Sequence, residues 1–279
     1  MPELPEVRAH AERLTEAYAG TSLERFQSLS FTALKTAVPS PDDAIGNELI
    51  RVGTRGKLLV LDFAPLSFVV HLMQGGRLKP DDKQTPRPRG GLARWRLADG
   101  RALLLTEAGK DHKAGVWVRA GDPDGQEPLD HLGPDADTVG LDELRTILRR
   151  GPSTRLHGFL RDQHGIAGLG RRLANEICHA AKLSPFASVT KLDDDETARL
   201  HAAIGQCIDE SLAYERTRDD MSSSKERPGA VHHRTKDACP TCDDVIREVE
   251  YTKYTVNYCA TCQTGGKVLA DNTTSRFLR

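Results

Sequence analysis

The spacing of apolar positions changes character about halfway along the chain. Short apolar runs separated by Gly, Pro and Asp turns fill the first half: LLVLDF, SFVVHLM, ARWRL, RALLLTE and GVWVRA. Such runs are typical of short antiparallel strands. The segment PEVRAHAERLTEAYAG before them places Val7, Leu14 and Tyr18 on one helical face and ends at Gly20. The first half therefore predicts a β-sandwich or barrel with one leading helix.

In the second half the apolar spacing becomes helical. Apolar residues recur every three or four positions in LDELRTILRR, STRLHGFLRDQHG, RRLANEICHAAKL and DDDETARLHAAIGQCIDESLAY. Each of these segments has one apolar face, so we predict helices that pack into a bundle.

Charge is segregated along the chain, although the formal net charge is only -1. Residues 121–143 carry eight acidic side chains, three prolines and no Lys or Arg, which predicts a solvated linker. Residues 145–191 carry nine Lys or Arg against two acids. A nucleic-acid partner normally requires a basic surface, and this helical segment can provide one.

Four cysteines near the C-terminus form the strongest chemical signal. Cys239 and Cys242 make one C-x-x-C pair, Cys259 and Cys262 make another, and sixteen residues separate the pairs. Two such pairs supply four thiolates to one tetrahedral ion, the geometry of structural zinc. The intervening VIREVEYTKYTVNY is rich in strand-forming residues, so we predict a zinc-binding β-hairpin that holds one structural ion.

Nearby histidines and two further cysteines have simpler interpretations. His232 and His233 are alternative ligands, but four cysteines already complete the shell, so we expect both to be solvated loop residues. Cys178 and Cys207 fall inside helical patterns and are predicted to be small buried side chains.

The segment DQHGIAGLGRRLANE combines glycines with two arginines at the predicted start of a helix. The amides of Gly168, Gly170 and the first helical turn can point outward together and hold a phosphate, with Arg171 and Arg172 adding charge. The alternative is that the glycines only allow two helices to pack closely.

Three segments in this order, MPELPEV, DQHGIAGLGRRLANE and the four cysteines, resemble one family. It is the bacterial formamidopyrimidine-DNA glycosylase and endonuclease VIII family of base-excision repair enzymes. The resemblance spans nearly the whole chain and implies an N-terminal β-sandwich, a helix-two-turn-helix domain and a C-terminal zinc-finger hairpin. It also implies that the enzyme acts as both a DNA glycosylase and an AP lyase.

The resemblance assigns catalysis to the N-terminus. Removal of Met1 exposes Pro2 as a secondary amine, which attacks the sugar and forms an iminium that drives β-elimination. Glu3 protonates the opening sugar, Glu6 assists it, and Lys57 approaches the phosphate or sugar of the lesion. The alternatives are that Glu3 only starts a helix and that Lys57 is an ordinary basic turn residue.

Two departures from the family concern residues that bind the DNA backbone. Where most relatives have a phosphate-binding Asn, this chain has Arg171, whose charged fork keeps phosphate contact possible. Where relatives have an arginine in the finger, this chain has Tyr254 with Lys253 beside it. Because a lysine is a point charge and not a planar fork, we expect a weaker grip.

Two further departures concern the loops that fill the gap left by an everted base. The family's Met-bearing loop reads HLMQGG here, so we expect Met73 or Gln74 to fill the gap. The alternative is that Met73 packs in the core. The intercalating loop corresponds to KDHKAG, where Lys113 or its neighbours and Ala114 replace an Arg and a Phe. We therefore expect retained chemistry and altered lesion preference.

The predicted domains are a catalytic sandwich (1–120), the acidic linker (121–143), the helix-two-turn-helix domain (144–222), a loop with the finger (223–267) and a tail (268–279). The predicted partner is double-stranded DNA with damaged bases or abasic sites. We expect a monomer in the bacterial cytosol or nucleoid, since no export signal or membrane helix is evident.

Two other functions remain open at this point. One is a non-catalytic binder of damaged or branched DNA that retains the fold. The other is a zinc-ribbon protein unrelated to repair, which would leave the N-terminal pattern unexplained.

Overall fold

A computed structural model describes residues 1–108, 113–221, 226–252 and 254–269 of the chain. The chain divides into two compact units, Met1–His131 (unit 1) and Leu132–Arg279 (unit 2). The division falls inside the segment predicted as an acidic linker. That segment is not fully solvated, because Leu129, Ala136 and Val139 are buried. The five domain boundaries themselves stay predictions.

Unit 1 contains one long helix and eight strands. They are α1 (Leu4–Tyr18), β1 (Leu23–Ser28), β2 (Arg51–Arg55), β3 (Leu58–Phe63), β4 (Leu66–His71), β5 (Gly76–Pro80), β6 (Gly91–Leu97), β7 (Ala102–Glu107) and β8 (Gly115–Ala120).

The strands of unit 1 form two antiparallel four-stranded sheets, ordered β1-β6-β7-β5 and β2-β3-β4-β8. Aromatic side chains join the sheets face to face: the ring centroid of Phe68 lies 5.4 Å from that of Phe26 and 5.8 Å from that of Trp95. Both Phe68 and Trp95 are fully buried. The predicted β-sandwich is confirmed.

Helix α1 begins and ends at sequence signals. Glu3 and Glu6 form a capping box, in which each side chain accepts a hydrogen bond from the other residue's backbone N–H. Val7, Leu14 and Tyr18 are all buried, as their spacing predicts. These contacts place the first residues of the chain in a defined position at the start of a helix.

Three strands had no apolar signal in the sequence. Strands β1, β2 and β5 read LERFQS, RVGTR and GRLKP, with charged or polar residues at most positions. β1 and β2 are edge strands, with only two and one fully buried positions respectively. Pairing with a neighbouring strand, and not hydrophobicity, decides their conformation.

Unit 2 contains helices followed by a hairpin: α2 (Leu141–Arg150), α3 (Leu156–Phe159), α4 (Arg171–Ala180), α5 (Asp194–Arg216), β9 (Ile246–Tyr251), β10 (Tyr254–Cys259) and α6 (Ala260–Thr264). The helical pattern across STRLHGFLRDQHG overstates the helix, because only Leu156–Phe159 is α-helical. Turns follow it up to Gly170, the residue that caps α4.

Within the described part of the chain, no helix is both long enough and apolar enough to cross a membrane.

Candidate functional site

One end of the unit 1 sandwich gathers the connections that carry the predicted catalytic residues. Leu58 at the start of β3 pairs with His71 at the end of β4, and His71 pairs with Gly115 at the start of β8. In the other sheet Gly76 at the start of β5 pairs with Glu107 at the end of β7. Because β4 leads into β5 and β7 leads into β8, all these strand ends lie together. We call this end the site edge of unit 1.

The start of α1 lies at the site edge. The Thr15 hydroxyl accepts a hydrogen bond from the Val52 backbone N–H at 2.8 Å, and Arg8 donates to the Thr54 hydroxyl at 3.3 Å. Successive turns of α1 therefore run along β2 in the reverse direction. The N-terminus of the helix points toward the connection from β2 to β3, which contains Lys57.

The two glutamates at this helix start are buried and ordered. Glu3 and Glu6 are 5% and 2% exposed, and the Glu3 backbone N–H donates to Glu6 Oε2 at 3.0 Å. Pro2 is half-buried and Met1 is exposed. Glu3 thus has the helix-starting position of the simpler interpretation, and that position also fixes its carboxylate beside Pro2.

Lys57 is buried in the connection between β2 and β3, with 9% exposure. The next residue, Leu58, pairs across the sheet with His71, whose pKa is lowered to about 4 by burial and then by the charge of Lys57. His71 is therefore a neutral imidazole near pH 7. The sequence analysis did not single out His71, although it opens the HLMQGG segment; only strand pairing places it beside Lys57.

The connection from β4 to β5 is tightly constrained. Met73 is half-buried and has the left-handed backbone conformation, with φ of 52°, whereas Gln74 is exposed. Gly76 donates its N–H to the Leu72 carbonyl at 2.8 Å, and a Cβ at Gly76 would lie 2.2 Å from that oxygen. The turn thus holds Met73 and Gln74 at the site edge, with Gln74 the more available to contact a partner.

The connection from β7 to β8 is described only at its ends. Glu107 is buried, and its Oε2 accepts a hydrogen bond from the Ala114 backbone N–H at 2.8 Å. Lys113 is exposed, whereas Ala114 is fully buried. Ala114 is therefore not available as a wedge. The other residues expected to intercalate, 110–112, lie outside the described residues.

In unit 2 the Gln163 side chain organises the turn before α4. Its Nε2 donates to the Leu169 carbonyl at 2.9 Å, and its Oε1 accepts from the Gly168 N–H at 3.0 Å. Gly168 has φ of 103°, which favours glycine, and Gly170 caps α4. Arg171, the first residue of α4, is exposed.

The finger residue Tyr254 lies in a stack of rings and charge. Its ring is nearly parallel to that of Tyr251, with centroids 4.7 Å apart, and the Arg161 guanidinium carbon lies 4.1 Å from its centroid. The His157 ring is nearly parallel to it at 5.9 Å. The sequence analysis missed Arg161 and His157, which are distant from Tyr254 along the chain. Lys253 lies outside the described residues.

The four cysteine sulfurs form one compact cluster. They all lie within 4.8 Å of one another, and the Sγ atoms of Cys242 and Cys259 are 3.4 Å apart while those of Cys239 and Cys262 are 3.8 Å apart. Four thiolates about 2.3 Å from a tetrahedral ion are about 3.8 Å from one another. The cluster can therefore hold a metal ion.

Hydrogen bonds prepare one cluster thiol for ionisation. Burial alone raises the pKa of Cys239, but hydrogen bonds from the Thr241 backbone and the His179 side chain lower it to about 6. His179 Nε2 lies 3.3 Å from the Cys239 sulfur. Such contacts to the ligands favour the thiolate form that a metal needs.

The expectation that both loop histidines are solvated is wrong for His232. Its side chain is only 8% exposed, and its Nδ1 lies 2.9 Å from Nδ2 of Asn175 in α4. His233 is exposed, as expected. The contact with Asn175 explains the burial, because it gives His232 a hydrogen-bond partner inside unit 2.

The remaining cysteines are buried in helices, as predicted. Burial raises the pKa of Cys207 to about 12 and that of Cys178 further still, so both are neutral thiols. Neither belongs to the cluster that can hold a metal.

A β-sandwich with its chain start toward Lys57, a glycine turn at a helix start and a four-cysteine hairpin are the three parts that the resemblance to DNA-repair glycosylases implies. The sequence comparisons agree. The model of the formamidopyrimidine-DNA glycosylase N-terminal domain matches residues 1–110. An uncharacterized formamidopyrimidine-DNA glycosylase-like protein of Mycobacterium tuberculosis is 40% identical over 150 residues, which are 53% of this chain and 94% of that protein. The formamidopyrimidine-DNA glycosylase of Chloroflexus aurantiacus is 28% identical over 280 residues, covering 94% of this chain and 98% of its own.

Solved structures share the fold. MutM (Fpg) of Thermus thermophilus superimposes with a TM-score of 0.80 at 23% identity, covering 96% of this chain and 100% of that one. The Fpg of Lactococcus lactis, solved in complex with abasic-site DNA, gives 0.80 at 18% identity, with 94% and 99% covered. The chain belongs to the formamidopyrimidine-DNA glycosylase family, and it is an enzyme of that family.

Proposed function

We propose that the chain is a bifunctional DNA glycosylase and AP lyase whose nucleophile is the amine of Pro2. The observation that carries the proposal is the site edge of unit 1. There the start of α1, with Pro2 and the buried Glu3, lies toward the connection that contains Lys57, and Lys57 acts on His71. This set of a potential amine, an acid and a cation matches the needs of the reaction.

The reaction begins at the sugar of a damaged nucleotide. Met1 is exposed, so its removal can free the Pro2 nitrogen, and an α-amino group has a pKa near 8 that leaves part of it neutral at pH 7. The nitrogen lone pair attacks C1′, the base leaves with its bonding electrons, and Glu3 protonates the ring oxygen as the sugar opens.

A secondary amine bound to C1′ yields a cationic iminium. The iminium withdraws electrons, so the C2′ proton becomes acidic; its loss forms a double bond and expels the 3′ phosphate. Water then releases the unsaturated aldehyde and regenerates the amine. Lys57 supports this step by binding the phosphate or sugar of the lesion, with Glu6 holding the Glu3 backbone N–H in place.

Unit 2 supplies DNA contacts and a metal site in this proposal. The Fpg of L. lactis has been solved in complex with abasic-site DNA and with DNA that contains an oxidised pyrimidine. We propose double-stranded DNA of this kind as the partner here, held by Arg171 and the first turn of α4. The expected contact through the Gly168 amide is not available, because that N–H donates to Gln163 Oε1. Cys239, Cys242, Cys259 and Cys262 hold one zinc ion, which stabilises the hairpin and takes no part in the reaction.

The first test is covalent trapping. Borohydride reduces an iminium, so the full chain with Met1 removed should become linked to an abasic-site duplex. Retaining Met1 or adding an N-terminal tag should abolish the link. The Pro2 nitrogen is then part of an amide, and the free amine belongs to a different residue. A tagged protein that is trapped as well as the untagged one would exclude Pro2 as nucleophile. An untagged protein that binds DNA but never traps would support the non-catalytic binder.

We further propose that lesion preference differs from that of 8-oxoguanine specialists. Ala114 is buried where relatives carry a Phe, so gap filling falls to Met73 or Gln74, and easily everted lesions should be favoured. On a panel of duplexes, abasic sites, ring-opened purines and oxidised pyrimidines should react faster than 8-oxoguanine opposite cytosine, with mainly β-elimination ends. Efficient excision of that 8-oxoguanine with clean β,δ-elimination would contradict the proposal.

A further inference from the structure

The ring of Tyr254 is a platform for a charged side chain from another part of unit 2. Arg161 follows α3, whereas Tyr254 begins β10 of the finger, yet the Arg161 guanidinium carbon lies 4.1 Å from the Tyr254 ring centroid. Tyr251 supports the same ring, with centroids 4.7 Å apart and planes inclined by 13°. We call Arg161, Tyr251 and Tyr254 the arginine–tyrosine stack. It joins the turn region before α4 to the finger.

The guanidinium in this stack keeps its hydrogen-bonding capacity. Among the described residues, the Arg161 guanidinium makes no hydrogen bond or ion pair, and its side chain is half-buried. A cation–π contact uses the flat face of a guanidinium, so the N–H groups at its edge can still donate hydrogen bonds. The contact also restricts the orientation of a long side chain. Arg161 is thus a planar, oriented donor without an acceptor in the described part of the molecule.

A second arginine acts on the same region. His157, whose ring lies 5.9 Å from that of Tyr254, is 3% exposed, and its Nε2 lacks a hydrogen-bond partner among the described residues. Burial lowers the pKa of His157 to about 3, with the charges of Arg161 and Arg171 acting in the same direction. Gln163 Nε2 donates to the backbone carbonyls of both Arg161 and Leu169 at 2.9 Å, which places Arg161 beside the start of α4, where Arg171 lies, so the two positive charges add there.

The backbone beside Arg171 adds to this positive charge. Arg171 is the first residue of the ten-residue helix α4, and Gly170 caps it without a side-chain oxygen. The N–H groups of a first helical turn carry partial positive charge and attract anions. The ligand that fits two arginines and a helix start is a phosphate group.

We propose that Arg161, oriented by Tyr254, acts with Arg171 as a phosphate clamp for the DNA backbone. This inference rests on the proposed function and refines it, because the sequence analysis expected the finger to have lost its arginine contact at Tyr254. A tyrosine in the finger and an arginine before α4 together provide the planar charged donor. Arg161 is then a DNA-binding residue that no spacing along the chain indicates.

The test measures affinity for an abasic-site duplex over a series of salt concentrations. Arg161→Ala should weaken binding about tenfold at moderate salt and reduce the slope of log K against log salt by about one, because one phosphate contact is lost. Arg161→Lys should keep the slope but lose affinity, since an ammonium has no planar fork. Tyr254→Phe keeps an aromatic face and should bind as the parent does, whereas Tyr254→Ala should weaken binding.

The matched control is Arg25→Ala, which removes one exposed positive charge on β1 of unit 1, outside the basic helical segment. Its affinity should stay within about twofold of the parent and its slope should be unchanged. If Arg161→Ala and Arg161→Lys bind like this control while their melting temperatures fall, the stack is only a structural contact and the inference is overturned.

Trapping separates this inference from the proposed function. At saturating protein, Arg161→Ala should still be trapped by borohydride to the parent's extent, because the nucleophile lies in unit 1. A parent chain that is never trapped would refute the proposed lyase reaction, and the salt series would still decide the role of Arg161. Loss of trapping in Arg161→Ala at saturation, with binding unchanged, would assign Arg161 to the chemistry and contradict the clamp.

Discussion

Unit 1 and unit 2 carry their candidate residues in different ways. At the site edge of unit 1, Lys57 lies in the β2–β3 connection, His71 ends β4 and Met73 follows it in the β4–β5 connection, so antiparallel strand order brings them to one end of the sandwich. In unit 2, the arginine–tyrosine stack joins Arg161 to Tyr254, residues far apart along the chain. A site built on strand connections can be inferred from motif order. A site built by packing distant segments cannot be inferred in this way, because its residues are far apart along the chain and only the fold shows which of them are in contact.

The metal cluster offers the largest test of this contrast. Cys239→Ser removes a buried ligand, and structural zinc contributes about 10–16 kcal/mol of apparent binding free energy in finger peptides. We expect loss of the metal, a much weaker affinity for DNA and a lower melting temperature of unit 2, with the β-sandwich of unit 1 still folded. Metal analysis, DNA binding and a two-transition melting curve measure these effects.

Cys178→Ala is the control, because Cys178 is buried in α4 outside the cluster. It should retain the metal and lose only the packing of one sulfur. Freshly purified parent protein without bound zinc would sink the zinc proposal.

The next effect concerns the chemistry of unit 1. Glu3→Gln keeps a side-chain oxygen that can accept the Glu6 N–H, so α1 should start normally. It removes the acid that protonates the sugar, and base release should slow by about 10²- to 10⁴-fold. Strand cleavage at a pre-formed abasic site should slow less, because no base has to leave before that sugar opens.

Single-turnover rates of base release and strand cleavage, measured on the same duplex sequence, give this comparison. An equal loss in both rates would indicate that Glu3 acts only through the position of Pro2. A normal rate of base release in Glu3→Gln would show that Glu3 only caps helix α1.

Acid sensitivity provides a smaller test, and it distinguishes the two units. Burial lowers the pKa of His71 in unit 1 to about 4, and that of His157 and His232 in unit 2 to about 3. Each ring is neutral when folded, so its stabilising contribution is complete above pH 6.5 and is lost as the pH falls toward the folded pKa. Between pH 7 and pH 5 the free energy of unfolding should fall by about 2 kcal/mol for each of these rings.

Unit 2 should therefore lose more stability than unit 1 over this range. His71→Gln should reduce the pH dependence of unit 1 only, and His232→Gln that of unit 2 only, as followed by denaturant unfolding at each pH. Equal pH dependence in parent and variants would mean that these rings are solvated and protonated normally in the folded protein.

Much of the architecture was predictable from local patterns. The apolar faces of α1, α2, α4 and α5, and the short apolar runs of β3, β4, β6, β7 and β8, agree with the elements observed. The cysteine spacing predicted the cluster, because two C-x-x-C pairs place four sulfurs toward one point. Strands β1, β2 and β5 escaped prediction, because their residues are mostly polar and hydrogen bonding to neighbouring strands gives them their form.

The sequence alone determined which chemical groups this protein has: an early proline and glutamates, a lysine in a turn, a glycine turn before a helix, and four thiols. Only the tertiary structure decided which of these groups meet. His71 comes close to the charge of Lys57 because β3 and β4 pair antiparallel, and His232 is buried because Asn175 bonds it. Arg161 contacts Tyr254 because β10 of the finger packs against the helices of unit 2. Local patterns report the preferences of neighbouring residues, whereas charge contacts between distant segments depend on how the whole unit packs.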